Sequence, residues 1–249
     1  MSRVTLRFYE ELNDFLAPAL RKRDIVHEFE RRTSVKDMIE SFGVPHTEVE
    51  IILVNGRSAG FSHIVQDGER ISVYPMFEGL DISPLLRLRP APLRTPRFVL
   101  DTNLGRLARY LRLLGFDCLY RNDYDDRTIA GIAEREQRTV LTRDRALLQH
   151  RIITRGYFVR AVRPRLQVGE VLARFDLYDL VKPFSRCTRC NGELRAVDKA
   201  AIVGRLEPKT KKYFDVFRMC SDCRQIYWQG SHHEHALRLI AAFREKRPG

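Results

Sequence analysis

Four of the five cysteines fall into two Cys-x-x-Cys pairs, Cys187-Thr188-Arg189-Cys190 and Cys220-Ser221-Asp222-Cys223, with 29 residues (191–219) between them. A two-residue gap closes a knuckle that puts two thiolates on one ion, and two knuckles complete a tetrahedral four-sulfur shell. Such a shell leaves no position for water, so the expected ion is a structural zinc. The spacing predicts a small β-rich zinc ribbon over 183–236, too short to bury enough surface without its metal. Lys209, Lys211 and Lys212 lie in the enclosed stretch and are expected to face solvent or phosphate. His232, His233 and His235 follow the second knuckle, but the four cysteines suffice. Cys118 stands alone in an apolar stretch and is expected to be buried in a strand. Knuckle spacing behind an N-terminus that alternates like a strand argues for metal over disulfides, and a cytoplasmic address is expected.

Charge separates the chain into unlike parts. Residues 1–89 carry 12 basic and 14 acidic side chains, whereas residues 90–249 carry 32 basic and 18 acidic, 26 of the former being arginine. Arginine's planar fork matches phosphate oxygens, so the second part is expected to bind a polyanion, with a plain solubility surface as the alternative. No run of about 18 apolar residues occurs, so no membrane span is expected.

In the first part Val4, Leu6 and Phe8 alternate as in a half-buried strand, and Val26–Phe29 forms a weaker one. Ser34 precedes Val35, Met38, Ile39 and Phe42 at helical spacing; Ser34 with Asp37 reads as a capping box and Gly43 as the stop. Ile51–Val54 runs into Asn55-Gly56, and Asp67-Gly68 precedes the strand Ile71–Pro75. The order strand, strand, helix, strand, strand resembles the β-grasp of ubiquitin-like proteins. The Val54-Asn55-Gly56 turn and the Asp67-Gly68-Glu69-Arg70-Ile71 entry are similar to the sulfur-carrier branch, the ThiS/MoaD type. Those carriers act through a free C-terminal Gly-Gly. Here Phe77-Glu78-Gly79-Leu80 stands in that place and 169 residues follow, so a docking or positioning module with a protein partner is expected instead.

Residues 81–97 hold Pro84, Pro90, Pro92 and Pro96 together with Arg87, Arg89, Arg94 and Arg97. That proline density predicts a semi-rigid linker, either solvated or lying along a nucleic-acid backbone. Beyond it, strand and helix patterns alternate. The strands are Phe98–Leu100, Phe116–Tyr120, Thr139–Thr142 and Tyr157–Val162; the helices carry Leu104, Leu107, Leu111 and then Ile129, Ile132, Ala133. This predicts a parallel α/β sheet.

In such sheets ligands gather at the carboxyl ends of strands. Asp101 ends the first strand, Asp123, Asp125 and Asp126 follow the second, and Asp144 follows the third. Clustered carboxylates repel one another unless a cation sits between them, and hard oxygen ligands suit Mg²⁺ or Mn²⁺. Arg106, Arg109, Arg112, Arg143 and Arg145 form a basic rim that would hold the flanking backbone of a phosphodiester substrate. Plainer roles compete: Asp125 or Asp126 as a helix N-cap, Asp101 as a turn residue.

The run Phe98–Asp101, Leu104-Gly105-Arg106-Leu107-Ala108-Arg109-Tyr110-Leu111-Arg112-Leu113-Leu114-Gly115-Phe116-Asp117, Asp125-Asp126 and Leu141-Thr142-Arg143-Asp144-Arg145 closely resembles the Mut-seven C-terminal RNase family, a branch of the PIN-like nucleases. The resemblance covers roughly 97–236. It implies a PIN-like ribonuclease, a hydrolase in which Asp101, Asp126 and Asp144 carry the metal and which leaves 5′-phosphate and 3′-hydroxyl ends. Asp123 and Asp125 are the candidates for a fourth acid, and Asp117 is expected to be structural. The Tyr227-Trp228 and Gly230-Ser231-His232 ending is similar as well; Trp228 would stack an unpaired base or pack the ribbon onto the nuclease core.

The expected architecture is an α+β β-grasp (1–80), a linker (81–97), an α/β PIN-like domain with a parallel sheet (98–182), a zinc ribbon (183–236) and a C-terminal helix or tail (237–249). The expected function is metal-dependent RNA hydrolysis, with a structured or tRNA-like RNA as partner. A non-catalytic RNA-binding module with a vestigial acidic pocket is the rival, and an adaptor built on the β-grasp is the third reading.

Overall fold

The computed structural model describes residues 1–75, Leu88 and 97–245. The Phe77–Leu80 stretch and the linker lie outside them apart from Leu88 and Arg97. In chain order the elements are β1 (Ser2–Phe8), β2 (Ile25–Phe29), α1 (Val35–Ser41), β3 (Val49–Val54), β4 (Arg57–Ser58), β5 (Arg70–Pro75), β6 (Phe98–Leu100), α2 (Gly105–Leu113) and β7 (Cys118–Leu119). There follow α3 (Asp126–Glu136), β8 (Thr139–Thr142), α4 (Arg145–Leu148), β9 (Gly156–Phe158), α5 (Pro164–Arg174), β10 (Leu194–Val197), α6 (Lys199–Ile202), α7 (Pro208–Tyr213), β11 (Phe217–Cys220), β12 (Ile226–Trp228) and α8 (Ser231–Arg244). Two compact units are present, Met1–Thr95 with Asp126–Phe158, and Pro96–Asp125 with Val159–Gly249.

The first unit opens with a five-stranded sheet in the order β2-β1-β5-β3-β4. β1 and β5 run parallel at its centre, flanked by antiparallel neighbours, which is the β-grasp arrangement. Alternation drives Val4, Leu6 and Phe8 into the core with Ile52, Ile71 and Val73. α1 adds Val35, Met38 and Ile39, and its Ser34 cap accepts from the Asp37 amide at 3.1 Å as the spacing predicts. Asn55 and Gly56 both have positive φ, 49° and 78°, so the β3–β4 hairpin turns in the primed sense that matches strand twist.

The same unit holds α3, β8, α4 and β9. All four residues of β8 are buried, and β8 pairs in parallel with β9 from Val140↔Gly156 to Thr142↔Phe158. The grasp segment grips this piece through the turn His46–Glu48. Thr47 Oγ1 donates to the Leu148 carbonyl (3.0 Å), His46 Nε2 bonds the Ile153 carbonyl (3.0 Å), and the Glu48 carboxylate accepts from the Phe158 amide. Phe15 meets Phe158 edge-on at 5.8 Å.

In the second unit β6 and β7 run parallel, and the apolar face of α2 (Leu107, Ala108, Leu111) is buried with Val168, Val171 and Leu172 of α5. The strand expected over Tyr157–Val162 stops at Phe158. The next amides, of Arg160 and Ala161, bond the Glu170 carboxylate (2.7 and 2.8 Å) instead of a neighbouring strand, and Pro164 starts α5. β10, β11 and β12 form a three-stranded antiparallel sheet, the β-rich element around the cysteines. The stretch between the knuckles is partly helical, as α6 and α7, rather than a plain loop. Among the described residues no helix is long and apolar enough to cross a membrane.

Candidate active site and metal centre

The four thiols meet. Their Sγ atoms all lie within 4.8 Å of one another, with Cys187–Cys223 at 3.6 Å and Cys190–Cys220 at 3.4 Å. Sulfurs about 2.3 Å from a tetrahedral ion stand roughly 3.8 Å apart, so the cage has the dimensions of a zinc shell. Each knuckle reverses through a left-handed residue directly after its second cysteine, Asn191 (φ 75°) and Arg224 (φ 60°). Gly192 leaves the space a side chain would need, because a Cβ there would sit 2.7 Å from Cys220 Sγ. Burial raises the Cys187 thiol, but the Tyr227 hydroxyl at 3.1 Å and the amides of Cys190 and Arg189 outweigh it and hold it at about 7. Burial pushes Cys190 up to about 12. Four thiols so enclosed cannot all ionise without a cation among them, which is the chemistry of a metal cage.

Three residues with no signature in the spacing join the knuckle to α2, β7 and β12. Arg112 donates to the carbonyls of Cys118 (2.8 Å), Arg189 (3.0 Å), Tyr120 (3.4 Å) and Thr188 (3.5 Å). Asn191 accepts from the Cys118 amide at 2.9 Å and donates to Asp117 at 2.7 Å. Tyr227 closes the set through Cys187 and Thr188. Arg112 was expected on the RNA-facing rim; it is 4% exposed and braces the fold instead. Asp117 is structural, as expected. Cys118 is fully buried in β7. Trp228, the chain's one tryptophan, is 37% exposed on β12 rather than packed into a core.

The acids occupy strand and helix ends. Asp101 directly follows β6, is 7% exposed and caps the turn Thr102–Leu104, accepting from the Thr102 amide (2.6 Å) and from Asn103 (3.3 Å). Gly105 lets the Tyr120 ring pass this turn: a Cβ there would lie 2.5 Å from the hydroxyl, which donates to the Thr102 carbonyl at 3.1 Å. Asp144 follows β8 by two residues, is exposed, and accepts from the Ala146 amide (2.8 Å) at the start of α4. Asp126 is the exposed first residue of α3. Asp123 is gripped by Arg121 through two bonds of 2.9 and 2.7 Å, which lower its carboxyl below the ordinary range; Asp125 is exposed. Among the described residues, the side chains brought together closely enough to hold a metal ion are the four cysteines, and these acids are not among them.

Of the remaining arginines, Arg106 and Arg109 are exposed on α2 and Arg143 is half-buried after β8. Arg145 lies over the rings of Phe15 (5.2 Å) and Phe158 (5.5 Å), which fixes the residue next to Asp144.

A ubiquitin-like grasp, an α/β segment with parallel strands and a four-cysteine β-sheet make up the chain, and the family that its larger part matches is of nuclease type. The chain belongs to the Mut7-C RNAse domain family, which matches residues 96–240; residues 1–81 match the Mut7-C ubiquitin family. Neither a curated protein nor a solved structure gives a significant match.

Proposed function

We propose that the chain is a metal-dependent ribonuclease that hydrolyses RNA phosphodiester bonds. The reading is carried by the RNAse-domain match over 96–240. Asp101 and Asp144, each at the carboxyl end of a strand in that span, support it. Asp101, Asp126 and Asp144 hold Mg²⁺ or Mn²⁺, with Asp123 or Asp125 as the fourth acid. When bound, the ion lowers the pKa of water and stabilises charge on the phosphorus oxygens. The chain's own part is to orient the carboxylates: Thr102 and Asn103 fix Asp101, and the Ala146 amide fixes Asp144. Arg106, Arg109 and Arg143 hold the RNA backbone. The four cysteines take one structural zinc, the grasp serves as a positioning module, and the domains divide near 80, 97, 182 and 236.

The test is cleavage of a structured RNA by the full chain in Mn²⁺. Asp101→Asn and Asp144→Asn keep side-chain shape and remove ligand charge, so cleavage falls by orders of magnitude while RNA affinity is kept. Asp126→Asn removes the charge at the first residue of α3 and is expected to lower cleavage in the same way. Undiminished cleavage in both Asp101→Asn and Asp144→Asn overturns the assignment and favours the non-catalytic RNA-binding module.

A further inference from the structure

Within the second unit, α2, the first knuckle and α8 enclose an open cavity of about 460 Å³. It falls in the range of roughly 300–1,000 Å³ typical of small-ligand sites. A second hollow of about 420 Å³ continues from it, sharing Arg109, Thr188 and Tyr227 and adding Arg189. α2 contributes Arg106, Arg109, Tyr110 and Leu113, the i, i+3, i+4, i+7 stripe of a single helix face. Its opposite face is the buried one, so the stripe is presented by the same amphipathic pattern that builds the core.

Charge and rings in this cavity point to one kind of occupant. Arg106, Arg109, Arg186 and Arg189 line the two hollows, and among the described residues no carboxylate does. Arg106 and Arg109 have no ion-pair partner among the described residues. Arg186 is held in place by the Asn191 carbonyl (3.2 Å) and Asp117 (3.6 Å). The lining also holds Tyr110, Tyr227 and Phe184, and Phe184 stacks on His233 at 4.2 Å with 25° between the planes. Arginine forks match phosphate oxygens, and aromatic faces take an unpaired base. A base-paired helix offers its phosphates but keeps its base faces stacked inside, so it cannot fill the apolar part.

We infer that this cavity is a binding site for an unpaired nucleotide of single-stranded RNA, its phosphates on Arg106 and Arg109 and its base among Tyr110, Phe184 and His233. The inference rests on the ribonuclease reading and deepens it: the enzyme holds its substrate by a single-stranded segment gripped against the cysteine-bearing knuckle. Leu239 of α8 and Ala236 one turn before it form the apolar floor.

The experiment measures binding of a short labelled oligoadenylate to the full chain without added divalent cation, beside an RNA duplex of the same length. Leu239→Trp fills the cavity without touching a charge, a cysteine or a proposed acid. It is expected to weaken oligoadenylate binding by about tenfold or more and to leave duplex binding unchanged. Arg106→Gln with Arg109→Gln is expected to reduce the logarithmic salt slope for the oligoadenylate by about 1.4, at about 0.7 for each phosphate that no longer meets an arginine. Melting temperature and zinc content, unchanged in both, exclude misfolding. Unchanged oligoadenylate binding in Leu239→Trp, or equal loss for single strand and duplex, overturns the inference. The ribonuclease reading is scored apart from this, by whether the wild-type chain cleaves RNA in Mn²⁺.

Discussion

Replacing Arg112 with methionine tests whether this residue supports the fold or the substrate. Methionine keeps much of the stem volume and removes the guanidinium. Two short charge-assisted bonds, to Cys118 O at 2.8 Å and Arg189 O at 3.0 Å, are lost, and two longer ones go with them. A hydrogen bond to a charged group contributes about 1.5–3 kcal/mol, so the two short bonds alone come to about 3–6 kcal/mol. The carbonyls left behind in the interior keep the cost near the upper half of that range. For a chain of this size each kcal/mol moves the melting temperature by about 2–4 °C, which places the drop on the order of 10 °C. Burial lowers the guanidinium's pKa, yet arginine stays charged, so the loss should be flat across neutral pH. The assay is calorimetric melting of the full chain with zinc content measured on the same samples. Arg109→Met, one turn earlier on the exposed face, is the control and should shift stability by less than about 0.5 kcal/mol. A variant at position 112 that melts within about 2 °C of wild type while losing RNA affinity would refute the bracing role.

Freshly purified protein should contain one zinc per chain by elemental analysis. Cys187→Ser should remove it and open residues 187–228 to hydrogen exchange; a wild-type chain without zinc ends that assignment. Gly156→Ala should destabilise the first unit by about 1–3 kcal/mol, because the new methyl would sit 2.4 Å from Leu148 Cδ2 and 3.3 Å from Thr47, and Leu148 is fully enclosed. Denaturant unfolding measures this, and an unchanged midpoint would show that the grasp segment and β9 can separate without cost.

Much of the architecture is legible in the sequence because it depends on local spacing. Two cysteines three apart must form a knuckle, alternation must bury one face of β1, and Asn-Gly supplies the two positive φ angles of the β3–β4 turn. The all-apolar β6 and the fully buried β8, each followed by an acid within two residues, announce parallel strands with carboxylates at their ends. The family resemblance is carried by the same contiguous runs.

What no local pattern could decide is which partner a given side chain finds. Arg106, Arg109 and Arg112 are three apart on one helix and look alike as a string. Arg112 is drawn inside because the carbonyls of a knuckle 77 residues away need a donor, while the other two stay in water. Asp123 meets the Arg121 guanidinium at 2.7 Å, a contact that no periodicity announces. Arg145 reads as part of a basic rim, and nothing local announces that it also lies over the rings of Phe15 and Phe158. Propensity and periodicity act over a few residues and so can be read directly; the desolvation of a charge depends on groups brought close only by folding.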